Sequence, residues 1–153
     1  MIRKIKEKLE SNCPDLGKLL LRFSSGTIFL FAGLMKLMSI EGTIGFFTGI
    51  FGAGMAPFLA WLVALTEFGG GLALLLGIFP RISGLLLSFI MLVAVATVQF
   101  PAMLGLMADG QMFIQAFSKV RLDFLLLFVN LAIALLGPGK YSLEEYLKLK
   151  WKY

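Results

Sequence analysis

Thr66-Glu67-Phe68-Gly69-Gly70-Gly71 lies near the centre of residues 57–79, a run that is otherwise uncharged and long enough to cross a bilayer. A bare carboxylate at mid-membrane costs at least a few kcal/mol, so such a residue normally faces a protein interior and has a partner there. The three glycines that follow allow another helix to approach closely on that face. This stretch predicts an all-α integral membrane protein whose working part surrounds Glu67.

The rest of the composition agrees. The chain has 153 residues, of which 59% are hydrophobic and 15% charged, with a mean hydropathy of +0.91. A soluble domain is about 45–50% apolar and about 25% charged. The net charge of +5 is concentrated at the two ends, which suits anionic headgroups of a lipid bilayer and not nucleic acid. With no histidine and only Cys13, the chain offers no imidazole ligand for haem or zinc and no serine–histidine base. It cannot form an internal disulfide, so thiol–disulfide catalysis within one chain is excluded.

Hydropathy divides the chain into a basic, amphipathic N-terminal arm (1–16), a four-span bundle (17–137) and an interfacial tail (138–153). The predicted spans are about 17–38, 57–79, 82–104 and 122–136. In the arm, Ile2, Ile5 and Leu9 share one helical face, and Ser11-Asn12-Cys13-Pro14 is expected to break that helix. The first apolar run is too long for a signal-peptide core and reads as a retained anchor. Residues 39–56 are rich in Phe and Gly and predict an interfacial or re-entrant helix between spans 1 and 2. Residues 106–120 read as a smaller version, turning at Asp109-Gly110. Lysine and arginine favour the side holding both termini (Arg3, Lys4, Lys6, Lys8, Lys18, Arg81, Lys140, Lys148, Lys150, Lys152) over the other (Lys36, Lys119, Arg121). That bias predicts both termini in the cytoplasm.

Arg22, Gly26, Phe29, Gly33 and Lys36 fall on one stripe of the first span, and Val63, Glu67, Gly70, Gly71 and Leu74 on one stripe of the second. The two stripes are natural neighbours. Glu67 should lie about 10 Å in depth from both Arg22 and Lys36, so direct pairing needs helix tilt, stretched side chains or a bridging group. Asn130 is near the same depth and is the other candidate partner. Gln99 and Asp123 lie further out, where Asp123 could pair with Lys36. Together Glu67, Asn130, Gln99, Asp123 and Lys36 would make a polar track through half the membrane.

Plainer roles also fit these residues. Snorkelling towards headgroups alone accounts for Arg22 and Lys36, and interhelical hydrogen bonding accounts for Asn130 and Gln99. Glu67 reads either as a functional carboxylate or as half of a buried structural pair. The methionines are scattered packing residues. Gly137-Pro138-Gly139-Lys140 is a helix stop and not a phosphate loop. Ser142-Leu143-Glu144-Glu145 fits a capping box opening a last helix, with Tyr146, Trp151 and Tyr153 as interface anchors.

Three segments resemble the DoxX family of small membrane proteins. They are Leu21-Arg22…Gly26…Phe29-Leu30-Phe31-Ala32-Gly33-Leu34-Met35-Lys36-Leu37, then Glu67-Phe68-Gly69-Gly70-Gly71-Leu72-Ala73-Leu74-Leu75-Leu76-Gly77 with Pro80-Arg81, and Leu135-Leu136-Gly137-Pro138-Gly139-Lys140-Tyr141-Ser142-Leu143. The resemblance spans roughly residues 17–145. It implies a four-helix bundle in a prokaryotic plasma membrane and a link to quinone-dependent or stress-related redox assemblies. Relatives that do thiol chemistry need paired cysteines, from which this chain departs. The expected function is thus a small subunit without independent catalysis, which binds a quinone or a partner redox enzyme, or else self-associates. Ligand or ion transport centred on Glu67, and a plain scaffold, are the other readings.

Overall fold

The computed structural model describes the backbone of residues 2–150 and the side chains of residues 14–148. The faces expected for Ile2, Ile5 and Leu9, the Cys13 side chain and the Trp151 and Tyr153 anchors lie outside the described side chains. Seven α-helices follow in order: α1 (Ile2–Met38), α2 (Ile40–Phe51), α3 (Ala56–Leu76), α4 (Pro80–Ala94), α5 (Phe100–Ala108), α6 (Phe113–Leu136) and α7 (Leu143–Lys150). A single π-helical stretch, Val95–Gln99, joins α4 to α5.

Among the described residues, three continuous helical stretches are long and apolar enough to cross a membrane: Pro14–Met38, Ala56–Leu76 and Pro80–Ala108. The fourth, α6, has 24 residues and carries Lys119, Arg121 and Asp123 in its first half. Large apolar side chains such as Phe23, Phe31, Leu65, Phe89, Leu125 and Leu135 are exposed around the bundle, as expected of a surface solvated by lipid tails. The fold is an all-α four-helix membrane bundle, with the extra helix α2 between spans 1 and 2.

The packing of α1 on α3 is set by glycine. A Cβ at Gly26 would sit 2.9 Å from the Gly71 carbonyl oxygen, one at Gly33 2.7 Å from Phe68 Cα, and one at Gly71 2.8 Å from the Gly26 carbonyl oxygen. The two backbones therefore touch. Ala56, Ala60, Ala64, Glu67, Gly71 and Leu74 form the buried stripe of α3, so small residues line most of that face. Gly70 lies off this seam: a Cβ there would meet only the side chain of Leu87 on α4. Gly84 plays the equivalent part between α4 and α6, where a Cβ would come within 2.8 Å of the Asn130 carbonyl oxygen. Phe29, Leu74, Leu87, Met91, Leu126 and Ile133 fill the shared core.

Element ends follow local chemistry. Gly77 (φ +71°) terminates α3, with the Gly77 amide donating to Leu74 O at 3.2 Å and the Ile78 amide to Ala73 O at 2.9 Å, a Schellman arrangement. Pro80 then opens α4. Gly137 (φ +77°) and Gly139 (φ +70°) turn the chain after α6. The tail folds over the bundle end near Asp15, which takes the Lys140 amide at 3.4 Å and the Lys140 ammonium at 3.5 Å. The expected cap forms as well, the Glu145 amide donating to Ser142 Oγ at 3.2 Å.

Two local expectations are corrected. The chain does not break at residues 11–14, because α1 runs through Pro14. A proline removes one hydrogen bond, and the Lys, Glu and Leu residues before it are strong helix formers. Residues 106–120 are not a re-entrant segment either. The third spanning stretch continues to Ala108, and α6 begins at Phe113 rather than near residue 122, leaving only a short corner with Gly110 at φ +83°. Met103, Ala116 and Val120 pack together across that corner, so the charges at Lys119 and Arg121 interrupt hydropathy without interrupting the helix.

Gly33→Leu or Gly71→Leu should destabilise the bundle by about 1–3 kcal/mol or more, because the obstacle is backbone. Gly70→Leu should cost less, since the Leu87 side chain can move. Thermal unfolding in detergent measures this order, and equal melting temperatures for all three variants would contradict the seam.

Candidate functional site

The α1/α3 contact places Gly33 opposite Ala64 and Phe68. Lys36, three residues beyond Gly33, then overhangs Glu67 from less than two turns away, and its four-carbon stem covers the rest. The Lys36 ammonium donates directly to Glu67 Oε2. No tilt-accommodating bridge is needed. The Glu67 side chain is 3% exposed and that of Lys36 32%, so the carboxylate is sealed in the bundle while the cation borders open space. Lys36 also sits in the last turn of α1, where the helix dipole favours a cation.

That open space is a cavity of about 800 Å³. Its walls are almost wholly apolar and come from the end of α1, α3, α4 and the π-helical stretch. Phe46, Phe47 and Phe51 of α2 close one side. Phe46 and Phe47 meet edge to face and Phe47 stacks on Phe51, both with ring centroids 5.8 Å apart. Helix α2 buries no residue of its own; it is an interfacial cover laid on α3.

The polar groups of the cavity converge. Besides Lys36 and Glu67, Gln99 and Asp123 line it, and Gln99 Nε2 donates to Asp123 Oδ2 at 2.5 Å. Gln99 is the last residue of the π-helical stretch, where the Phe100 amide bonds Val95 O, five residues back. Pro101 has no amide hydrogen to give to the preceding turn, and the wider turn absorbs that mismatch. Asp123 therefore pairs with Gln99 and not with Lys36.

The other two candidates fall outside this group. Asn130 is fully buried, accepts a hydrogen bond from Ser25 Oγ at 2.8 Å and donates to Leu126 O at 2.7 Å. It ties α6 to α1 instead of touching Glu67, and the expected polar track stops short of it. Arg22 lies at the opposite end of the α1/α3 seam, beside Gly77, and donates through Nη2 to Tyr141 O at 2.5 Å. Its Nε and Nη1 have no partner among the described residues. A side chain at position 77 would collide with the guanidinium, so Arg22 and Gly77 together pin the C-terminal tail. The sequence reading missed Ser25, although a serine one turn after Arg22 inside an apolar span was a usable signal. It also missed Thr43, Thr66 and Thr97, whose hydroxyls bond to backbone carbonyls around the cavity. In helices such threonines look like ordinary back-bonded residues.

Comparison with known proteins accords with this architecture. The DoxX family model matches residues 17–100, the stretch from the first span to Gln99 and the residue after it. A protein of Bacillus subtilis (strain 168) described as "Putative oxidoreductase CatD" is 32% identical over 132 residues, covering 86% of this chain and 87% of its own. "Inner membrane protein YqjF" of Escherichia coli (strain K12) is 33% identical over 138 residues, covering 90% of this chain and 96% of its own. No solved structure matches the chain. A family match over more than half the chain, with relatives aligned along nearly their whole lengths, places this four-helix membrane protein in the DoxX family.

Proposed function

We propose that this protein is a small quinone-interacting subunit of a membrane redox assembly, holding the ligand's ring in the cavity while a partner enzyme carries out the electron chemistry. The observation that carries the reading is an apolar cavity of about 800 Å³ with one polar corner formed by Lys36, Glu67, Gln99 and Asp123. Ligand sites of about 300–1,000 Å³ combine mostly apolar walls with a few convergent polar groups. The phenyl rings of α2 suit a flat aromatic ring, and a π-helical stretch at a binding residue is a frequent functional device. The relative described as an oxidoreductase agrees with this reading.

The chain itself lacks histidine and has one cysteine, so the redox cofactor belongs to the partner in this account. Its bundle lies in a prokaryotic plasma membrane, with both termini cytoplasmic by the lysine and arginine bias. The polar corner then sits towards the outer half of the bilayer. Passage of a solute across the membrane has less support. The polar groups end at the cavity, Asn130 is committed to Ser25 and Leu126, and the core of Phe29, Leu74 and Leu87 lies in the way.

Protein purified in mild detergent from quinone-containing membranes should carry bound quinone, detected by extraction and chromatography. Val63→Trp, which fills the cavity from α3, should remove it. Glu67→Gln should keep the fold, because Lys36 borders open space. It should weaken binding of the ligand's reduced, dihydroxy form by about tenfold or more, the scale of one hydrogen bond from a hydroxyl to a charged acceptor. Quinone no higher than in an unrelated membrane protein purified in parallel would refute the proposal.

Cysteine labelling tests the orientation. On a Cys13-free background, Ser142→Cys should be protected from a membrane-impermeant reagent added outside, and Asp109→Cys should react. Equal protection of both sites would contradict it.

A further inference from the structure

The charged groups lining the cavity are unequal in number: Lys36 is the cation, and Glu67 and Asp123 are the carboxylates. Lys36 is engaged with Glu67. Among the described residues no ion pair reaches Asp123, whose partner is the neutral amide of Gln99. Among the described residues no hydrogen bond reaches Asp123 Oδ1, Glu67 Oε1 or Gln99 Oε1, which leaves them as acceptors. The threonines add to the same side of the balance. Thr66 gives its hydroxyl proton to Leu62 O at 2.7 Å, Thr97 to Val93 O at 2.8 Å, and Thr43 to Ser39 O at 3.1 Å or Lys36 O at 3.3 Å. Each therefore offers the cavity lone pairs and not a proton. The donors left are the Lys36 ammonium, the second amide hydrogen of Gln99 and, at the α2 side of the cavity, the Ser39 hydroxyl.

An aromatic dione brings only acceptor oxygens to such a surface, and at Asp123 two sets of lone pairs would face each other. The corresponding diol brings two O–H donors, which an ionised carboxylate in an apolar enclosure binds strongly. Resting on the quinone reading above, we infer that the cavity selects the dihydroxy form of its aromatic ligand over the dione, with Asp123 as the residue that sets the preference. The Lys36–Glu67 pair and Gln99 complete the polar corner. Preferential binding of the diol draws the two-electron, two-proton couple towards its reduced form by simple linkage. Delivery and removal of the electrons fall to the partner.

The test compares duroquinol and duroquinone, both lacking long tails, on purified protein in nanodiscs under anaerobic conditions. The wild type should bind duroquinol about tenfold or more tightly, the weight of one hydrogen bond to a charged acceptor. Asp123→Asn, which keeps the side-chain shape but removes the charge, should bring the ratio of the two affinities towards one. The wild-type comparison stands whether or not the variant folds. Equal affinities, or tighter binding of duroquinone, would overturn this inference while leaving quinone binding intact. Failure of both probes to bind would remove the quinone reading as well. Tetraphenylphosphonium binding more tightly than duroquinol, with dependence on Asp123, would overturn it in favour of an organic-cation site.

Discussion

The backbone contact between α1 and α3 is the constraint on which the other features rest. Because Gly26, Gly33 and Gly71 remove the side chains from that contact, the helices pack at the closest distance the polypeptide allows. Lys36 can then reach Glu67 directly, and Arg22 lands at the C-terminal end of α3. A helix bundle in lipid gains little from hydrophobic burial between its helices, and close packing of small residues supplies much of the association instead. The same contact pinches the bundle along one seam and leaves room beside it, between α3, α4 and the end of the π-helical stretch. Helix α2 covers that room.

The Lys36–Glu67 pair is a poor candidate for a source of stability. Removing two charges from water costs several kcal/mol per ion, and the attraction between them often no more than offsets this. An apolar pair on the same seam would pack at least as well. The cation's border position and the carboxylate's depth make more sense in a site that presents charge to a ligand. Ser25–Asn130 and Arg22–Tyr141 act differently. They join distant parts of the chain through hydrogen bonds with no room beside them, and they hold α6 and the tail in place.

Much of this was legible in the sequence. A four-residue and three-residue rhythm identified the seam on α1, and an isolated carboxylate before three glycines identified its partner helix. Periodicity placed Gly70 and Gly71 on the same stripe, yet one residue of rotation sends Gly70 to Leu87 and Gly71 to α1. Depth along a single helix suggested Asn130 as a partner for Glu67. Depth does not give the azimuth of α6, and its rotation turns Asn130 to Ser25 and Asp123 to the cavity. The π-helical stretch had only Pro101 as a signal, and its effect on the aim of Gln99 depends on backbone geometry. The true start of α6 was hidden because a helix can be amphipathic at its entrance, so that Lys119 and Arg121 resemble a boundary. The cavity itself has no linear signature; it arises from the angle between helices.

The central claim is that Lys36, Glu67, Gln99 and Asp123 form the polar corner of a site that a lipid-soluble aromatic ligand enters. Photolabelling with an azidoquinone in native membranes, followed by mass-spectrometric mapping of the modified residues, tests this most directly. The account predicts label on cavity-facing positions of α2, α3 and the π-helical stretch, such as Phe47, Val63 and Val98, with loss of label when unlabelled quinone is added in excess. Label spread over lipid-facing residues such as Leu125 and Leu135, unaffected by competing quinone, would contradict it.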